Sequence, residues 1–318
     1  MSESGMEHVE MKTNTLRVTL IPAAGGKIAS LVAVRQNAEL LQQPLLPYAA
    51  RTMTMGFEES DASGFDECLP SVSACEVETP GGRVAIPDHG DFWRIPWAWE
   101  KNGDELRLWA TGRSLPLHFE RLLRLEDDIL HIHYSVRNEG DFAVEYAWSA
   151  HPLFAVDEGD RILLPPSVKK AIVENSGGNR LGAQGVMHDW PRTQLRDGAP
   201  VDLSLAGSMA DGVGDKLFAT APAEGWAALE RMRHGVRVEV RFDAAQLPVL
   251  GLWLCYGGWP EGRVNRQYCV AIEPCTAAAD SLAAAAKKGQ ARKLLPGESE
   301  EWEMQICISD VSRTSRQV

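Results

Sequence analysis

Alternation of apolar and polar residues with a period of two constrains this chain most, because a helix cannot gather such a pattern onto one face. Leu130, Ile132, Tyr134 and Val136 fall on one side of an extended segment, and His131, His133, Ser135 and Arg137 on the other. Val236, Val238, Val240 and Phe242 repeat the pattern against Arg237, Glu239 and Arg241, after a turn at Arg233-His234-Gly235. Alternation this clean marks antiparallel strands with one wet face. Turns such as Asn102-Gly103-Asp104 and Glu126-Asp127-Asp128 separate the segments. The expected fold class is all-β: a large antiparallel β-sandwich with minor short helices. The best helix candidate runs from Ser281 to Lys288, with Asp280 as N-cap, an alanine run and Gly289 just beyond.

All-β sandwiches often exceed 200 residues as one unit, so 318 residues are compatible with a single domain over 1–318. No Pro/Gly/Ser-rich or charge-run linker divides the chain, although Glu174 to Pro200 reads as a polar loop, and residues 1–12 and 312–318 are expected to be flexible. A formal net charge of -12 opposes nucleic acid and anionic lipid as partners. The amino-terminal residues lack a signal-peptide pattern, and no apolar run reaches the roughly 18 residues a membrane span needs, so a cytoplasmic address is expected. The six cysteines form no CxxC pair or Cys/His ladder, so the spacing implies packing thiols and no metal. Monomer and homodimer both remain open.

Four segments carry candidate chemistry. Ala143 to Phe154 reads AVEYAWSAHPLF and puts His151 on the polar side of a strand. Pro152 follows it and lacks an N–H, so the sheet is expected to stop there and open a cleft. Tyr268 to Thr276 reads YCVAIEPCT, with Glu273 again before a proline; a carboxylate in so apolar a setting is either paired or lines a site. Pro87 to Trp97 reads PDHGDFWRIPW, where His89, Asp88 and Arg94 offer polar groups beside Trp93. Gly64 to Val72 reads GFDECLPSV and is expected to set Asp66 and Glu67 in a Gly/Pro-bounded loop.

Plainer readings stand beside these. A strand-end histidine is more often structural than catalytic, and Glu273 could simply pair with an arginine. Asp66 and Glu67 serve equally well as solvated loop acids or caps. Trp148 and Trp109 fit apolar strand faces, whereas Trp93 and Trp259 sit in Gly- or Pro-rich surroundings suited to a cleft wall. Cys68 and Cys275 read as small buried hydrophobes, and His118, His188 and His234 belong to no motif.

The segments GFDECLPSV, PDHGDFW, HPLF, AIEPCT and LLPGESEEW follow one another in an order that resembles aldose 1-epimerase (galactose mutarotase)-like proteins, over most of the chain. The likeness is to the broad branch of that superfamily; galactose mutarotases themselves carry a longer, asparagine-led histidine motif. It implies a β-supersandwich that interconverts α and β anomers of an aldose or related hexose. His151 would be the acid, Glu273 the base and His89 an orienting donor. Asp66, Glu67, Arg94, Trp93 and, from the opening GGKIASL, Lys27 would contact the sugar.

Such a reaction needs no cofactor. The base takes the anomeric hydroxyl proton, the acid protonates the ring oxygen, and the opened aldehyde recloses after rotation about C1–C2. A carboxylate with reference pKa of about 4.3 is ionised at neutral pH, and an imidazole of about 6.5 is near half-protonated if acidic neighbours raise it. Two rivals remain: a non-catalytic carbohydrate-binding protein on the same fold, and a glycoside-processing enzyme, for which Glu273 would need a second acid such as Asp66 or Glu67. A phosphosugar substrate is disfavoured because no arginine cluster stands out.

Overall fold

The computed structural model describes residues 6–220 and 222–311; the expected flexible residues 1–5 and 312–318 lie outside it. Strand accounts for 49% of residues and helix for 6%, so the all-β expectation holds. Among the described residues, two antiparallel sheets dominate. The larger has eleven strands, in the order Val9–Lys12, Leu16–Ile21, Lys27–Ala33, Phe65–Cys68, Ser149–Ala155, Tyr268–Cys275, Val249–Tyr256, Val213–Ala219, Lys170–Ser176 and Met187–Asp189, with Ala38–Glu39 beside Lys27–Ala33. The second has eight, in the order Arg161–Leu163, Trp226–Arg231, Val236–Phe242, Ser299–Asp310, Ile129–Asn138, Leu117–Glu126, Glu105–Thr111 and Ala98–Asn102.

The apolar faces of the two sheets meet in a common core. Leu130, Ile132, Tyr134 and Val136 point inward, as do Val236, Val238 and Val240, where they join Leu250, Leu252, Val270 and Ile272 of the larger sheet. At its centre Tyr134 stacks with Phe119 at 5.8 Å and with Trp302 at 5.6 Å, and Trp148 leans on both Tyr134 and Trp302. Such pairs contribute about 0.5–1.5 kcal/mol each beyond the area they bury. No helix among the described residues is long and apolar enough to cross a membrane.

Several expectations are corrected. The sheet does not stop at Pro152: the strand runs Ser149–Ala155 through the middle of the larger sheet, and Pro274 lies inside Tyr268–Cys275. Each proline removes a single donor, and the neighbouring strands still pair on both sides. Residues 9–12, taken as flexible, form a strand that buries Val9 and Met11. The helix is Leu282–Lys287 with Ser281, not Asp280, as N-cap: the Ser281 hydroxyl accepts from the Ala284 N–H. Trp109 lies on an outer face under the Arg107 guanidinium, not in the core. The stretch 174–200 includes the short strands Met187–Asp189 and Arg192–Gln194.

Candidate active site

The strand period also decides what reaches the outer face of the larger sheet. His151 lies opposite Asp66 on the Phe65–Cys68 strand. Ser149 pairs Cys275 and Leu153 pairs Ala271 in one register, which sets His151 opposite Glu273 on the other side. Glu273 is in turn opposite Gly251, and there the missing side chain matters. A Cβ at Gly251 would stand 3.1 Å from the Glu273 Oε2 and 3.3 Å from the Lys216 Nζ. Lys216 thus crosses the glycine to form an ion pair with the Glu273 Oε2.

Above this face is a cavity of about 670 Å³. His151, Glu273 and Lys216 reach it from the sheet, and Trp253, Trp259 and Gln267 line it from the Val249–Tyr256 strand and the loop that follows. Phe57 and His89 close another side: their rings stack at 4.2 Å, and the His89 ring meets that of His151 edge-on at 5.1 Å. His89 adopts a left-handed backbone (φ 58°), fixed by its N–H to the Val72 carbonyl at 2.5 Å, and its Nδ1 pairs with the Asp88 Oδ2 at 2.9 Å. A second cavity, of about 520 Å³, borders His133, Arg241 and Glu301 on the other sheet, where Arg241 is already paired with Glu239.

The His151 Nε2 and the Glu273 Oε1 are 3.9 Å apart, and Glu273 is fully buried. Oε1 has no hydrogen-bond partner among the described residues, and neither has the His151 Nδ1. Buried polar atoms without hydrogen-bond partners are rare, and here three, with the Asp280 Oδ1, belong to side chains lining one cavity. Burial, followed by the nearby His89, Lys216 and Lys27, drives the His151 pKa well below its ordinary value. The ring is therefore neutral at pH 7, which corrects the expectation that acidic neighbours would hold it half-protonated. Lys216 is pushed upward despite its burial, because Asp280 and Glu273 flank it. Burial raises Asp280 to about 6.

His151, Glu273 and His89 are thus brought together as the sequence predicted. Five other candidates are not. Lys27 is fully buried in a closed ionic cluster, with the Asp66 Oδ2 at 2.5 Å, the Asp61 Oδ2 at 3.0 Å, and Arg51 joining both acids. Asp66 is spent there, anchoring the 51–61 loop to the sheet. Neither acid lies in a solvated loop as expected: both are buried in the Phe65–Cys68 strand, and Glu67 points the opposite way because adjacent strand residues face opposite sides. It accepts from the Arg121 Nη1 at 2.8 Å, the Tyr134 hydroxyl at 3.1 Å and the Trp148 Nε1 at 3.0 Å inside the core. Trp93 is fully buried, and Arg94 stacks on it while donating to the carbonyls of Gly90, Asp88 and Met55. Both support the His89 turn from behind.

Lys216 and Asp280 went unread in the sequence. The pattern of Val213–Ala219 gives no hint that its one lysine is buried on an interior strand of the larger sheet. Asp280 was assigned to a helix cap that Ser281 fills. Phe57 lies in a loop that sequence periodicity cannot place, whereas the Pro/Gly setting of Trp259 did point to a cleft wall.

Over 96% of its length the chain superimposes on a candidate aldose 1-epimerase from Escherichia coli K12, covering 100% of that chain, with a TM-score of 0.71 at 18% identity. A galactose mutarotase related enzyme from Lactobacillus acidophilus gives a TM-score of 0.68 at 16% identity, covering 96% of this chain and 99% of its own. This is the galactose mutarotase-like fold. A galactose mutarotase-like protein from Lactobacillus casei ATCC 334 matches at 14% identity with a TM-score of 0.67, covering 95% of this chain and 100% of its own. Within the galactose mutarotase-like fold, residues 206–308 match a family described as a domain of unknown function, DUF4432. That segment contains Lys216, Gly251 and Glu273 but not His151. No curated protein matches the sequence.

Proposed function

We propose that the chain is a sugar isomerase that interconverts the α and β anomers of an unphosphorylated aldose, with Glu273 as base and His151 as acid. The observation that carries this reading is the 3.9 Å approach of the His151 Nε2 to an unpartnered, buried Glu273 Oε1. Ring opening moves protons at two oxygens bonded to the same carbon, so acid and base must stand close together on one wall. Glu273 takes the proton from the anomeric hydroxyl; His151, in its imidazolium form, delivers one to the ring oxygen. Lys216 occupies Oε2 and leaves Oε1 for the substrate. Trp253 and Trp259 offer apolar faces to sugar C–H groups.

The choice of a neutral sugar follows from charge. Glu58, Asp88, Glu261, Glu273 and Asp280 border the cavity against Lys216 and Arg263, and Lys216 is already engaged by two of the acids. A phosphate would meet more repulsion than attraction there.

Glu273→Gln and His151→Asn are expected to fold normally and to lose about 10²- to 10⁴-fold of the acceleration each, or roughly 3 to 5 kcal/mol. Polarimetry or NMR of a freshly dissolved anomer reads this directly. Unchanged rates in both variants would remove the assignment, and tight sugar binding without acceleration would leave a carbohydrate-binding protein. A second reading, glycoside cleavage, gains from Asp280: a carboxyl with a raised pKa and a carboxylate that share Lys216 are the kind of unequal pair such chemistry uses. Release of reducing ends from a chromogenic glycoside, lost in Asp280→Asn, would favour it.

A further inference from the structure

One grouping, at the base of the cavity, joins two of its lining imidazoles to a buried thiol that anomer interconversion does not use. Cys68, His89 and His151 each offer a ligand atom, and these atoms lie within 4.8 Å of one another. The residues come from a strand, a turn and a second strand, so no ligand spacing shows in the sequence. Ser149 lies opposite Cys68 and His151 opposite Asp66, which puts the thiol and the imidazole on one sheet face, one alternation apart.

We propose that Cys68, His89 and His151 form a binding site for a zinc-class divalent cation, with the fourth coordination position open to the cavity. Four features support it. A thiol and two imidazoles are the donor set of borderline cations, and three protein ligands with one open position are the pattern of reactive rather than purely structural zinc sites. The Asp88 Oδ2 holds the His89 Nδ1 at 2.9 Å and leaves Nε2 as the ligand, the carboxylate–histidine arrangement that typically backs a metal. The His151 Nδ1 is buried without a partner. Asp88 and Glu273 bring negative charge near the buried thiol that a divalent cation would offset, and Lys216 neutralises only part of it. Ligands round a tetrahedral zinc lie about 3.3 to 3.8 Å apart for bonds of about 2.0–2.3 Å, so side-chain rotations closing about 1 Å complete the site. His89 is already fixed in its unusual left-handed backbone.

Binding would expel the Cys68 proton into solvent, so affinity should strengthen as pH rises. The test uses the full chain stripped with a chelator and titrated with Co²⁺ in the absence of sugar, so its outcome is separate from that of the isomerase reading. One equivalent is expected to bring thiolate-to-cobalt charge-transfer absorption, which Zn²⁺ then bleaches. Cys68→Ser should abolish that absorption, His89→Ala should weaken binding at least tenfold, and Asp88→Asn should weaken it about 10- to 100-fold. Cys307→Ser, on the other sheet, should leave it intact. Absence of the absorption at one equivalent, or its survival in Cys68→Ser, overturns the proposal. Should Cys68→Ser fail to fold, unchanged cobalt affinity in His89→Ala does the same.

Discussion

At the scale of single residues, the site turns on how protons are apportioned between a buried imidazole and a buried carboxylate. His151 is held neutral by burial and by His89, Lys216 and Lys27. Only its small imidazolium fraction can act as acid, and that fraction grows as pH falls toward the lowered pKa. The catalysed rate, as kcat/KM above the buffer rate, should therefore climb as pH is lowered from 8 toward 6. A rate flat across that range would take His151 out of proton transfer. Lys216→Met should lower kcat strongly while KM moves less, since Lys216 positions the Glu273 Oε2 and leaves Oε1 to the sugar. Partial rescue in Lys216→Arg would separate a lost cation from a lost fold. His151 and Glu273 were legible because each precedes a proline within an alternating segment, and His89 because it sits in a Pro/Gly-bounded turn beside aromatic residues. Lys216 was not, because its setting depends on Gly251 of the neighbouring strand, a residue far away in sequence.

At the scale of elements, the Phe65–Cys68 strand shows how one residue of phase separates two kinds of carboxylate. Asp66 locks a loop over the outer face, and Glu67 pairs with Arg121 of the Leu117–Glu126 strand at 2.8 Å inside the core. The sequence named both acids but could not tell which side of the sheet each would take. That depends on the register with Ser149–Ala155. Arg121→Met should cost about 3–5 kcal/mol in urea unfolding, because it strands a buried carboxylate. Arg121→Met combined with Glu67→Gln should recover much of that loss, and a single variant as stable as the parent would show the pair to be dispensable. The helix was read almost to its ends; its cap was misassigned because Asp280 and Ser281 are both good capping residues and only the fold shows Asp280 facing the cavity.

At the scale of the molecule, the Ser299–Asp310 strand sits between Val236–Phe242 and Ile129–Asn138, in the interior of the second sheet. Distant stretches of chain therefore complete one another, and we propose that residues 1–318 fold as one unit. Scanning calorimetry should then give a single transition with equal van't Hoff and calorimetric enthalpies. Two resolved transitions would divide the chain. The all-β class was readable from alternation alone, whereas the pairing of strands far apart in sequence was not, since period two says which face a residue takes but never which partner lies beside it.

The spacing of imidazole and carboxylate on neighbouring strands is inherited from the hydrogen-bond ladder itself, and much of the cavity rim comes from loops. Reactivity and selectivity are thereby housed in separable parts of the molecule. On the proposed isomerase reading, segments around Phe57 and Trp259 can drift or be exchanged to admit a different sugar while the imidazole–carboxylate pair keeps its setting, an arrangement that would let one scaffold diversify its diet without reinventing its chemistry.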